Sequence, residues 1–314
     1  MILTVTPNTG IDFSLLVPEF ELNKTIRSGQ SALGMGGKAT DVSWILGRLG
    51  VPNLAIGFAA GYTGRQMVKM LEERGTTTRF VWTGGESRRN TIIVAQDGQG
   101  QSTFTVSPLD VSSRHLIKFN RLFQESLKQA DCLVLGGSLP TGVPTSFFKG
   151  LIEIAHSQSI PVLFDASGPG LLAGLEGRPD LIKPNRVELG EITGETILTR
   201  EATYRAARQV QQENGVAVIA TMGRDGAYAV LPERSYWIPA LDLPVVSAAG
   251  AGDGVLAGLA VAYAQEQPIE EGLRLGFALA NAVLLTLPTA DYDPQDLERI
   301  YPLIELRPYQ DSFY

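Results

Sequence analysis

Cysteine occurs once in the 314 residues, at Cys132, so no disulfide can form within the chain. That thiol lies in the apolar run Cys132-Leu133-Val134-Leu135, the setting of a core residue rather than a reactive one. Histidine occurs twice, at His115 and His156, too far apart in sequence for a paired metal-ligand spacing. Clusters of Lys and Arg are missing and the formal net charge is -7, which excludes the basic surface of a nucleic-acid binder. No apolar run reaches membrane-spanning length and no secretory leader opens the chain. Neither a membrane nor a nucleic-acid partner is expected, and a cytoplasmic location is.

What remains is ordinary globular composition, 44% hydrophobic and 19% charged. Short continuous apolar runs alternate with helical patterns. The runs at Ile2 to Thr6, Leu54 to Phe58, Cys132 to Leu135, Pro161 to Phe164, Leu181 to Lys183 and Val216 to Ala220 read as strands buried on both faces. Val42, Ile45, Leu46 and Leu49 make a helical stripe that Gly50 ends. The stretches Val255 to Ala264 and Leu273 to Leu287 are apolar nearly all round and read as buried helices. This alternation predicts a three-layer α/β/α fold with a mostly parallel central sheet. Thr91 to Gln96 and Gln101 to Val106, joined by Asp97-Gly98-Gln99-Gly100, read instead as a hairpin. With the non-helical segment from Asp12 to about Gly34, they predict a small β lid, built from about residues 12–34 and 88–108. Without a repeat or a long polar linker, one domain is expected over residues 1–314.

Three glycine-rich segments compete for a phosphate role. Gly34-Met35-Gly36-Gly37-Lys38 precedes the Val42 stripe but fits neither the P-loop, with Ala32 and Ala39 at key positions, nor a dinucleotide fingerprint. No strand clearly precedes it, and a tight turn explains it as well as an anion cradle does. Ser247-Ala248-Ala249-Gly250-Ala251-Gly252-Asp253-Gly254 places open backbone N–H groups and one acid at a helix start, where negative charge is favoured. Close helix packing would also explain the small residues, but a buried acid there is costly unless it is used or paired. Thr221-Met222-Gly223-Arg224-Asp225-Gly226 is explained by a hairpin turn. Between them, Ile182-Lys183-Pro184-Asn185-Arg186-Val187-Glu188 ends a strand and starts a helix. There Asn185 and Glu188 suit either a Mg²⁺ that shares substrate phosphates or a capping box.

Taken in order along the chain, these segments resemble the ribokinase-like (PfkB) carbohydrate kinases, and within them the branch of 1-phosphofructokinase and tagatose-6-phosphate kinase. The matching segments are Thr6-Pro7-Asn8-Thr9-Gly10-Ile11-Asp12, Gly36-Gly37-Lys38-Ala39-Thr40-Asp41, Ser87-Arg88-Arg89-Asn90, Gly137-Ser138-Leu139-Pro140, Lys183-Pro184-Asn185 with Glu188, Gly250-Ala251-Gly252-Asp253, and Asn281 in Ala280-Asn281-Ala282. The resemblance implies that Asp253 is the catalytic base and that the amides of Gly250, Ala251 and Gly252 form an anion hole. It implies that Asp12, Gly36, Gly37 and Asp41 hold sugar hydroxyls, and that Lys24, Lys38 and Arg88 hold the charged end of a phosphosugar. Lys183, Asn185 and Glu188 would serve ATP phosphates, Asn185 and Glu188 through Mg²⁺, while Thr221, Gly223, Gly226 and Asn281 would shape the nucleotide site.

The implied activity is transfer of the γ-phosphoryl group of ATP to a hydroxyl of a ketohexose phosphate, with a homodimer through the lid as the implied assembly. The chain departs from the family pattern at Thr9, Ala39, Asp41, Ser247 and Ala248. Asp41 stands in place of asparagine, and an ionised aspartate accepts hydrogen bonds without donating any. A kinase of an unphosphorylated sugar or nucleoside, and a binding regulator that has lost catalysis, are the alternative readings.

Overall fold

The computed structural model describes residues 1–98, 100–106 and 109–310. The buried apolar runs form one ten-stranded sheet. Ile2–Thr6 is an inner strand, third from one edge, paired in parallel with Asn53–Ala59 on one side and Cys132–Gly137 on the other. Thr77–Trp82 extends the sheet beyond Asn53–Ala59. Val162–Ala166, Leu181–Ile182 and Ala217–Thr221 extend it in parallel beyond Cys132–Gly137. Ala227–Val230, Ser235–Ile238 and Arg307–Pro308 then close that edge in antiparallel order. These edge strands and Thr77–Trp82 are additions to the expected set. Thr77–Trp82 escapes a search for continuous apolar runs because its burial alternates.

Alternation along the central strands separates two cores. Ile2, Ala55, Cys132 and Val134 point into one, against the helices Lys38–Arg48, Ala251–Ala264 and Ile269–Val283. Leu3, Val5, Ile56, Leu133 and Leu135 point into the other, with Phe119, Phe123, Phe148 and Phe164. The last buried helix stops at Val283 rather than Leu287. Cys132 is fully buried, and that burial pushes its thiol up, so it is the core residue its setting implies.

The order in which strands join the sheet reverses at Ile2–Thr6, which has a parallel neighbour on each side. Such a switch point opens a crevice beyond the carboxyl ends of the strands, where ligands of open α/β sheets bind. From that end the chain leaves for a second, four-stranded sheet in the order Gln30–Gly36, Gly10–Val17, Arg88–Ala95, Gly100–Phe104. This is the lid. Its strands occupy the ends of the expected segments, while residues 18–29 form an irregular crossing. Gln30–Gly36 is a strand leading straight into the Gly36-Gly37-Lys38 turn, which corrects the reading that no strand precedes it. Gln99, Ser107 and Pro108 of the expected lid lie outside the described residues.

Candidate active site

Gly250 caps the Ala251–Ala264 helix in the left-handed region, φ 80°. A Cβ there would come within 2.4 Å of the Ala290 nitrogen, so glycine is required on both counts. The cap turns the first amides of a buried helix toward the crevice and sets Asp253 in its first turn, 8% exposed. Lys183, from the end of the Leu181–Ile182 strand, reaches the same turn. A Cβ on Gly252 would meet its Nζ at 2.9 Å. An ammonium group and a helix N-terminus therefore converge beside one carboxyl, an arrangement that stabilises a transferring phosphoryl group.

Asp165 holds this cationic corner together. It is the one acid of the Val162–Ala166 strand, and its carboxylate pairs with Lys38 Nζ at 2.5 Å and Lys183 Nζ at 2.9 Å. Lys38 also donates to Glu188 at 2.8 Å. Burial works against each charge. For Asp165 the Lys183 and Lys38 ammonium groups outweigh it and hold the carboxyl below its usual range. For Lys38 the Asp165 and Glu188 carboxylates outweigh it and hold the amine charged. The sequence reading missed Asp165, although a lone acid near the end of a wholly buried strand run was the available signal.

Asn185 and Glu188 form the capping box. The Asn185 side-chain oxygen accepts from the Val187 N–H at 2.8 Å and the Glu188 N–H at 3.0 Å, and Glu188 accepts from the Asn185 N–H at 3.0 Å. That oxygen is thus taken up by the cap, which leaves water-mediated contact as its way to reach a cation. Among the described residues no three His, Cys, Asp or Glu side chains gather as a metal cluster.

The lid supplies the other wall. Asp12 and Asn90 are cross-strand neighbours, and Asn90 donates to Asp12 at 2.7 Å. Gly34, the register partner of Asp12 on the other side, has no side chain to obstruct the 286–292 loop. A Cβ there would lie 2.4 Å from the Thr289 nitrogen. The loop therefore comes close enough for Thr289 to donate to the second Asp12 oxygen at 2.9 Å. Burial raises the Asp12 carboxyl, opposed by these two hydrogen bonds and by Arg88. Arg88 is half-buried, facing Asp12 and Asp41, and its Nε has no hydrogen-bond partner. Asp41 sits buried in the first turn of Lys38–Arg48, where desolvation, then the charges of Asp253 and Asp12, push its carboxyl well above the usual range against the pull of Arg88. Desolvation, then the Asp165 charge, push Asp253 up to about 7, with Lys183, Lys38 and Asp41 opposing.

On the far side of the anion-hole turn lies a cleft of about 720 Å³ lined by Thr221, Gly223, Gly226, Asn281 and Gly252 from the main sheet side, and by Val94 and Gln101 from the lid. Its walls are mainly apolar, as suits a flat base. Asn281 donates to the Phe277 carbonyl at 2.7 Å, fixing its amide at the cleft wall. Gln101 accepts from the Ala248 N–H at 3.0 Å and the Ser247 hydroxyl at 3.3 Å, so the lid touches the loop ahead of the anion hole.

Of the residues anticipated for the site, Gly36 packs against Asp12, Arg88 faces Asp12 and Asp41, and Asp41 faces Asp253, while Ala251 and Gly252 line the cleft. Lys183, Lys38 and Glu188 stand beside the anion hole. Two placements differ from expectation. Lys38 points to Asp165 and Glu188, toward the phosphate corner rather than the lid. Lys24 lies in the crossing at 18–29, its side chain 58% exposed and paired with Glu21, outside the crevice. The departures from the family pattern fit locally: the Thr9 hydroxyl donates to the Phe58 carbonyl at 2.5 Å, and Ala39 is fully buried in the core.

A buried acid at a glycine-capped helix start, a cationic corner and a polar pocket under the lid therefore lie together at one end of the sheet. Residues 4–295 match the family model described as pfkB family carbohydrate kinase. The chain belongs to that family. It is similar to a Bacillus subtilis 1-phosphofructokinase, 32% identical over 96% of this chain and 98% of the relative. It is also similar to a Staphylococcus epidermidis tagatose-6-phosphate kinase, 27% identical over 98% of this chain and 99% of the relative. The solved structure of Escherichia coli phosphofructokinase-2 in complex with potassium covers 96% of this chain and 98% of its own, at 25% identity and TM-score 0.84. As a pfkB kinase the protein has a ribokinase-like fold and uses ATP as its phosphoryl donor. Among the described residues no helix is long and apolar enough to cross a membrane.

Proposed function

We propose that the protein phosphorylates a free hydroxyl of a ketohexose phosphate, with Asp253 as the base. The observation that carries this reading is the junction at Asp253. The base lies between the anion-hole turn with Lys183 on one side and, on the other, a pocket of Asp41 with Asp12 and half-buried Arg88 from the lid. ATP enters the apolar cleft with its base toward Asn281 and its phosphates toward Gly250, Ala251, Gly252 and Lys183. The acceptor sugar lies under the lid, hydroxyls to Asp12 and the Gly36-Gly37 turn, and its phosphate to Arg88. As the hydroxyl oxygen bonds to the γ-phosphorus and the bond to ADP breaks, Asp253 takes the hydroxyl proton. The lid keeps water from competing for the phosphoryl group.

Mg²⁺ suits the donor chemistry here, because it keeps several waters and needs few protein oxygens when phosphates share it. Glu188, and Asn185 through water, would hold it, and it would neutralise phosphate charge. The names of the relatives support a phosphorylated acceptor, and so does Arg88, a half-buried cation facing the pocket whose Nε has no partner. An ATP-consumption screen of fructose 1-phosphate, tagatose 6-phosphate and the corresponding free sugars is the test. Turnover is expected with a phosphorylated sugar, and Arg88→Ala should raise KM for it without affecting ATP binding. Turnover confined to free sugars or nucleosides would overturn the assignment.

The lid also supports a homodimer. On the face opposite Asp12 and Asn90 it carries Phe13, Leu15 and Ile93, half-buried, with Phe104 56% exposed and Arg89 lying over the Phe13 ring at 5.5 Å. A two-fold pairing of lids would cover this apolar surface. Sedimentation should report a dimer that Phe104→Lys weakens, and a monomer at all concentrations would refute the pairing.

A further inference from the structure

Asp12 is aimed from two sides, and the two are not equivalent. Its Oδ1 accepts from Asn90 at 2.7 Å and its Oδ2 from the Thr289 hydroxyl at 2.9 Å. Asn90 stands opposite Asp12 in the lid sheet, so its bond fixes the carboxylate relative to the lid alone. Thr289 comes from the main body, in the 286–292 loop between the helices Ile269–Val283 and Pro294–Ile300. Its bond therefore fixes Asp12 relative to Asp253 and the anion-hole turn. Both residues are buried, Asp12 6% and Thr289 2% exposed, so loss of the hydroxyl would leave Oδ2 an acceptor without a donor. The loop itself is held on the core by the next two residues. The Ala290 N–H donates to the Ala249 carbonyl at 3.2 Å, directly ahead of the Gly250 cap. Ala290 adopts the left-handed region, φ 55°, which a residue with a side chain keeps only where its surroundings hold it there. Asp291 pairs with Arg74 through both carboxylate oxygens, at 2.9 and 2.7 Å. The Arg74 guanidinium in turn lies 3.5 Å from the centre of the Trp44 ring on the Lys38–Arg48 helix. The Thr286 hydroxyl closes the loop on itself, donating to the Asp291 carbonyl at 2.8 Å. Successive residues thus reach different parts of the molecule: Thr289 the lid, Ala290 the anion-hole cap and Asp291 the helical layer.

We propose that Thr289 is a positioning residue for the acceptor sugar: its hydroxyl aims the Asp12 carboxylate, and the brace made by Ala290 and Asp291 sets that aim in register with the anion hole. This rests on the reading above, in which Asp12 takes a sugar hydroxyl. Each carboxylate oxygen has more than one acceptor site. Those left over by Asn90 and Thr289 point in a fixed direction, and the sugar hydroxyl they receive sets where the reacting hydroxyl lies relative to Asp253. Without the Thr289 hydroxyl, the Asp12 carboxylate turns to find another donor for Oδ2. The sugar is the substrate that suffers, because ATP lies beyond the anion-hole turn and does not meet Asp12. Asn90 cannot compensate, since it moves with the lid and carries no information about the position of the base.

Thr289→Val keeps the shape of the side chain and removes the hydroxyl, while Thr289→Ser keeps the hydroxyl. Steady-state turnover is measured with whichever carbohydrate the wild type phosphorylates. Thr289→Val should raise KM for that carbohydrate roughly tenfold or more, the loss expected for a hydrogen bond to a charged group, with KM for ATP at its wild-type value. Thr289→Ser should restore the carbohydrate KM. A merely structural role would lower kcat and Tm without moving that KM, and this result, or an equal rise for both substrates, would contradict the proposal. Asp291→Asn weakens the brace itself, so KM for the carbohydrate and for ATP should rise together. An ATP affinity equal to that of the wild type would overturn the link to the anion hole. A crystal structure of ligand-free Thr289→Val reads the geometry directly: the Asp12 carboxylate should be turned from its wild-type position with Ala290 still on Ala249. An unmoved carboxylate overturns the proposal, whichever sugar is the substrate. The reading of the acceptor as a ketohexose phosphate fails separately, in the turnover screen.

Discussion

A carboxylate that removes a proton from a sugar hydroxyl works best when its own pKa lies near the working pH. Desolvation and the Asp165 charge bring Asp253 there, up to about 7. The base must be ionised to act, so turnover is expected to fall as pH drops through about 7. A flat profile across that range would contradict the role. Asp165→Asn should move this acid limb to lower pH by removing a negative neighbour. The same substitution leaves Lys183 and Lys38 without their shared counter-ion in a buried corner, which costs about 3–5 kcal/mol when one partner of a buried pair is lost. A fall in Tm of the variant together with the shifted limb would test both effects. Residues of this kind differ in how visible they are in a sequence. Asp253 stands out among small residues, and Asn185 with Glu188 spells both a cap and a phosphate-side helix. Asp165 is hidden inside an apolar strand run, and Thr289 lies in a loop that only the closeness of Gly34 brings to Asp12. Lys24 shows the opposite failure: the resemblance implied a role, but the crossing at 18–29 carries it into solvent with Glu21.

Small residues in the Ala251–Ala264 helix serve packing as well as chemistry. A Cβ on Gly258 would lie 2.1 Å from the Gly276 nitrogen, and one on Gly254 would lie 2.7 Å from the Ala280 nitrogen. The two buried helices thus meet backbone to backbone, and that contact fixes the axis on which Asp253 is mounted. Gly258→Val should cost at least the ~1–3 kcal/mol of an overpacked core, read as a lower denaturant midpoint. Because the whole helix shifts, turnover should fall as well. Close packing therefore accounts for these small residues alongside the anion hole proposed for the start of the same helix. Element by element, continuous apolar runs located the inner strands because burial on both faces leaves no alternation to confuse them. Thr77–Trp82 at one edge was not legible because its burial alternates, and at the other edge Ala227–Val230, though buried, is only four residues long while Arg307–Pro308 is two residues and exposed. Helix ends drifted for a similar reason: beyond Val283 apolarity continues although the backbone leaves the helix, with Leu285 and Leu287 packing onto neighbouring cores from a loop.

At the scale of the molecule, the switch point around Ile2–Thr6 decides where chemistry can occur, and the lid decides what is admitted. Three of the lid's strands begin or end at residues of the pocket or of the nucleotide cleft: Gly36, Arg88 and Gly100. The hydrogen bonds from Ser247 and Ala248 to Gln101 tie the lid edge to the loop that precedes the anion hole. Gln101→Ala should loosen that tie. Uncoupled ATP hydrolysis should then rise relative to sugar phosphorylation, as water gains access to the γ-phosphoryl group. An unchanged ratio of the two would show that the contact does not seal the site. The central claim concerns Asp253, and it is tested most directly by single-turnover phosphorylation of a ketohexose phosphate by the wild type and by Asp253→Asn, with ATP binding measured alongside. The variant should bind ATP as the wild type does while the transfer rate falls ~10²–10⁴-fold, the loss typical of a missing general base. A transfer rate equal to that of the wild type would contradict the account.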